Sequence, residues 1–87
     1  MATIAAIDNL VSDCRFERFK IVNCYPSVIA SQDAVFQVDF LLKILLDGKE
    51  TFTQEQVDVC RGDLERIVGD LDITMSIQGF TRAPLAA

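Results

Sequence analysis

Cys14, Cys24 and Cys60 are the strongest nucleophiles this chain owns, and it contains no histidine to activate them. A cysteine attacks as its thiolate, so it needs a nearby base or cation to lose its proton near neutral pH. The lack of histidine removes the Ser-His-Asp and Cys-His arrangements, and with them most zinc and non-haem iron sites. The cysteines lie ten and thirty-six residues apart and form no C-x-x-C pair. Cys14 and Cys60 fall on the apolar faces of predicted helices, where a thiol acts as a small hydrophobe. Cys24, beside Tyr25 in a predicted connection, is the one thiol placed for a redox role. Lys20, Lys43 and Lys49 have no serine or cysteine partner at a recognised spacing.

The segment LDGKETFTQEQVD, residues 46–58, has the outline of a calcium loop and fails its test. Placing Gly48 at the sixth position puts Lys43 first and Gln54 twelfth, where such a loop needs Asp and Glu. The glycines at 48, 62, 69 and 79 form no phosphate-cradling cluster. No catalytic, cofactor or metal site is therefore expected, and the chain does not read as an enzyme. What remains is a group of carboxylates, Asp58, Asp63, Glu65, Asp70 and Asp72. They can form an acidic surface, with Arg61 and Arg66 diluting it.

The elements that would carry these residues follow from periodicity. Ile4, Ile7, Leu10, Val11 and Cys14 mark one face of a helix over residues 3–14, with Thr3 as its cap. Continuing that helix would bring Arg18 into the apolar stripe and turn Phe16 and Phe19 out of it. Residues 16–23 are therefore read as a strand, and residues 24–31 as a connection bent by Pro26. A second helix spans 32–47, capped by Ser31 or Asp33 and closed by Gly48. Thr53 and Gln56 form a capping box opening a third helix over 53–68, ended by Gly69. In DLDITMSIQ, residues 70–78, Leu71, Ile73, Met75 and Ile77 alternate with polar residues without exception, the pattern of a half-buried strand.

The expected fold is α+β, in the order α-β-α-α-β, with a two-stranded sheet packed on a central hydrophobic helix. The runner-up is an all-α three-helix bundle in which residues 3–22 form one bent helix. Residues 1–80 make a single compact domain and residues 81–87 a loose tail. Eighty-seven residues bury only roughly 60–65% of the surface the unfolded chain exposes.

The second helix carries the strongest functional signal. Asp39, Lys43 and Asp47 form one narrow polar stripe, with Asp39 and Lys43 spaced to pair across a turn. The apolar arc around the rest is roughly 240° wide, against about 100° for an ordinary surface helix. The Val, Leu, Ile and Phe side chains between 35 and 46 would contribute about 1.5–3 kcal/mol each on burial. Two short helices and a small sheet are too little to cover them. Phe36 points into the polar stripe, unless it packs under the loop at Pro26. Phe36, Phe40, Leu41 and Leu45 are the candidate hydrophobic interface.

Thirteen acidic and eight basic residues give a net charge of −5. Eight of the acids lie in residues 44–87. This balance opposes direct binding to nucleic acid or anionic lipid, which requires cations against phosphates. The start of the chain has no basic signal-peptide pattern, and Asp39 and Lys43 interrupt the longest apolar run, so a cytoplasmic location with reduced thiols is expected. The function expected is that of a small interaction subunit, working through self-association or a protein partner. The alternative is an acidic inhibitor, of the type phages raise against host defences, docking on a basic nucleic-acid-binding site of its target.

Overall fold

A computed structural model describes residues 2–84 of the chain. Three helices follow one another: α1, Ile4–Cys24; α2, Ile29–Asp47; and α3, Gln54–Ile77. Among the described residues there is no strand, so the α+β expectation is overturned and the three-helix bundle holds. The Ala2 amide donates to the Phe52 carbonyl at one end of the molecule, and Tyr25 reaches Asp72 at the other. α1 and α3 therefore run parallel, with α2 antiparallel to both.

Both predicted strands are helical continuations. α1 does not stop at residue 14, because nothing before Pro26 breaks it. Arg18 stands at the margin of the apolar stripe, and its Nε donates to Asp39 on α2 at 2.7 Å. Phe16 and Phe19 do turn outward and stay about half-exposed. Lys20 lies over the Phe16 ring, 4.9 Å from its centre. The helix ends at Tyr25, whose φ of −117° and ψ of 152° are the extended values favoured before proline.

The second predicted strand is the last part of α3. Residues four apart share a helix face, so Leu71 and Met75 point inward while Ile73 and Ile77 point outward. Strict alternation over nine residues is thus two helical rows on opposite sides. Gly69 does not end the helix; a side chain added there would meet nothing. The end comes at Gly79, with φ 85°, where the amides of Gly79 and Phe80 donate to the carbonyls of Ser76 and Met75 at 3.1 and 2.8 Å. This is the Schellman pattern.

The caps follow the sequence in part. Thr53 and Gln56 form the expected box, at 3.2 and 2.8 Å. α2 instead starts three residues earlier than expected, and neither Ser31 nor Asp33 is its N-cap. Ser31 is buried, accepts from the Val28 amide at 3.0 Å and donates to the Pro26 carbonyl at 2.7 Å, tying down the loop. Two residues of the tail contact the bundle. The Ala83 amide donates to the Cys24 carbonyl at 3.0 Å and Arg82 pairs with Asp72 at 3.1 Å. Residues 85–87 lie outside the described part.

The core is a single cluster. Ile7, Leu10, Cys14 and Ile21 from α1 meet Val38, Leu41 and Leu45 from α2 and Val57, Leu64, Leu71 and Met75 from α3. α2 contributes one stripe to it and is not enclosed on all sides.

Candidate functional site

α2 buries Ser31, Ala34, Val38, Leu41 and Leu45 along one face. Val35, Leu42 and Ile44 flank that face and are partly covered. The opposite face carries Ile29, Phe36 and Phe40, which are 78%, 73% and 58% exposed. Of the four residues expected at a hydrophobic interface, the structure leaves Phe36 and Phe40 on the surface. It places Leu41 and Leu45 in the core, where they hold the bundle and cannot meet another chain. Phe36 does not pack under the Pro26 loop. The recess beside that loop is lined by Ile21, Val22, Tyr25 and Val35 instead.

Phe36 and Phe40 lean over a groove between α2 and α3, about 270 Å³ in volume, whose far wall holds Asp63, Arg66 and Ile67. Arg66 is 3.8 Å from Asp63, one turn before it on α3. The charged residues beside these rings on the α2 outer face are Asp33, Lys43 and Asp47. The expected Asp39–Lys43 pair does not form, because Asp39 accepts from Arg18 on α1. Among the described residues, none of Asp33, Lys43 and Asp47 has an ion-pair partner.

The acidic group is dispersed. On a strand Asp70 and Asp72 would share one face. On a helix they stand about 200° apart. Asp63 and Asp70 face α2, where they line grooves with Arg66. Glu65 and Asp72 face α1, where they line a groove of about 390 Å³ with Asp13, Phe16, Glu17 and Arg61. Asp58 accepts from Gln54 at 3.0 Å on the surface. Three of the acids near these grooves are partly neutralised: Asp63 by Arg66, Asp13 by Arg61 at 2.9 Å, and Asp72 by Arg82 and the Tyr25 hydroxyl. The Tyr25 hydroxyl is held above its ordinary pKa by burial and by its bond to Asp72.

All three cysteines are buried and unpaired. Cys24 is the last residue of α1, in the core wall and not in a loop, so it has no exposed thiol for redox exchange. Burial pushes the Cys60 thiol up, and Asp63 adds to this. Among the described residues, no three acids or cysteines converge as metal ligands, and no helix is long and apolar enough to cross a membrane.

Sequence reasoning missed Ile29, placed in a connection, and Phe16 and Phe19, placed in a strand. The signal for Ile29 was its position seven residues before Phe36, two helical turns along the same face. Comparison of the chain with protein-family models, with curated proteins and with solved structures finds no significant match.

Proposed function

We propose that the protein is a non-enzymatic interaction subunit that docks through the outer face of α2. The observation that carries this reading is the pair Phe36 and Phe40, exposed one turn apart on the side of α2 away from the core. Burying a phenylalanine side chain gains about 1.5–3 kcal/mol, so two rings held in water forgo a sum comparable to a good part of a small domain's stability. Aromatic side chains beside a recess are the usual anchors of protein interfaces. The acidic-inhibitor reading has less to rest on, since its carboxylates divide between two sides of α3 and two of the five, Asp63 and Asp72, are already paired.

A photo-crosslinking phenylalanine analogue at position 36 or 40, introduced one at a time in cells, tests the reading. Each should give a discrete adduct of one defined mass, to this chain or to one other protein identified by mass spectrometry. The same analogue at Glu55, exposed on α3, should give none. Equal, diffuse labelling from all three positions, or no labelling from 36 and 40, overturns the proposal.

A further inference from the structure

We infer that the occupant of this face is a second copy of the same chain, with the two α2 helices packed antiparallel about a two-fold axis beside Val38. This rests on the function proposed above and adds the identity of the partner. The inference comes from the symmetry of the residues along the helix. α2 runs from Ile29 to Asp47, so Val38 is its midpoint, and antiparallel pairing about that point overlaps the helices along their whole length.

At 100° per residue, Ile29, Asp33, Phe36, Phe40, Lys43 and Asp47 fall within an arc of roughly 80°, opposite the buried stripe. All six are exposed. Phe36 and Phe40 straddle the midpoint, so the two-fold sets Phe36 of each copy against Phe40 of the other. Asp33 and Lys43 are both about 7.5 Å from the midpoint along the axis, on opposite sides of it. The same operation therefore sets Asp33 of each copy against Lys43 of the other. Among the described residues neither charge has an ion-pair partner, so both are free to take one from the other copy. The result is an apolar centre with a complementary charged rim on both sides, the usual anatomy of a specific contact.

Two further features fit the same arrangement. Asp47 of one copy comes beside the N-terminus of the other α2. That terminus has no side-chain cap bond to its first turn and no acidic residue in it, and a carboxylate there meets unpaired amides and the positive end of the helix dipole. Each copy also brings both the rings and the groove beside them, as a self-complementary contact requires. A parallel pairing would set Asp33 against Asp33 and Lys43 against Lys43, so charge selects the antiparallel one. One helix pair with its α3 flank is at the small end of interface sizes, where contacts are weak and transient, so a concentration-dependent dimer with a dissociation constant on the order of micromolar or weaker is expected.

Sedimentation equilibrium of the full chain under reducing conditions, from about 1 to 500 µM around that expected constant, tests this. A monomer–dimer equilibrium is expected. Asp33→Lys and Lys43→Asp should each weaken it about tenfold or more, since each sets like charges together twice. The double variant Asp33→Lys/Lys43→Asp should recover to within about threefold of the parent. Circular dichroism confirms that each variant keeps its helices. A parent that stays monomeric, a dimer indifferent to both single changes, or a double variant without recovery overturns the inference. A monomer that still crosslinks from position 36 to a different protein overturns the second copy alone. A monomer with no crosslinks overturns the proposed function as well.

Discussion

Cys14 shows how the bundle treats a reactive residue. It has no exposed surface, and burial pushes its thiol from the ordinary 9.0 up to about 11, with Asp13 adding to the effect. At neutral pH it is a protonated hydrophobe, as its place on the apolar face of the first helix already implied. The raised pKa has a consequence for stability. The unfolded chain loses this proton above pH 9, while the folded chain holds it until about 11. The contribution of the buried thiol is thus whole below pH 9 and is lost as pH rises through 11. Two pKa units correspond to about 2–3 kcal/mol. Urea unfolding of the parent and of Cys14→Ala at pH 8, 10 and 11.5 measures it. The parent should lose more stability than the variant over that interval, by an amount of this order. Parallel curves for the two would show that the thiolate is accommodated in the fold.

At the scale of elements, the sequence was legible where the signal is local and misleading where two periods coincide. Thr53 with Gln56, Gly79 and Pro26 each mark a boundary, because each acts on backbone within a few residues of itself. The interior of α3 was misread because polar residues sit at every second position from 70 to 78. Only the inner row, Leu71 and Met75, reports the core, and nothing in the sequence says that Ile73 and Ile77 are wasted on solvent. α1 was cut short for a related reason: Arg18 looked intolerable in an apolar stripe until a partner on α2 was known. Gly69 reinforced the error, since a glycine costs about 1 kcal/mol in a helix and usually marks an end. That cost is recoverable. Gly69 is inside α3 with open space where a side chain would go, so Gly69→Ala should stabilise the chain by about 0.5–1 kcal/mol and raise Tm by a few degrees. Gly79→Ala should do the reverse by a similar amount, because its φ of 85° is strained for any L side chain. Thermal unfolding of both distinguishes a helical Gly69 from a terminal one. A loss of stability in Gly69→Ala would mean that the position is held by something other than helix propensity.

For the whole molecule, the question is which apolar residues hold the bundle and which serve something outside it. The width of the arc on α2 was visible in the sequence, and so was the oddity of Phe36. The division was not, because it depends on how much surface two neighbouring helices can cover. They cover the stripe Val38, Leu41 and Leu45 and leave Phe36 and Phe40 wet. The pairing of Asp33 with Lys43 proposed across copies was hidden for the same reason. A local i, i+4 pair of Lys43 with Asp39 looked sufficient, until Arg18 of α1 took Asp39. The two groups should answer mutation in opposite ways. Leu45→Ala removes a side chain with no exposed surface and leaves a cavity at the centre, so it should cost about 2–5 kcal/mol of unfolding free energy. Phe36→Ser removes a ring that the monomer scarcely covers, so at concentrations too low for association its cost should stay within about 0.5 kcal/mol. At high concentration Phe36→Ser should lower Tm relative to the parent, because a parent that associates is stabilised by mass action and the variant is not. Denaturation of both variants at two concentrations separates the roles. If Phe36→Ser proved as costly as Leu45→Ala in dilute solution, the ring would belong to the core, and the outer face of α2 would lose its claim as a docking surface.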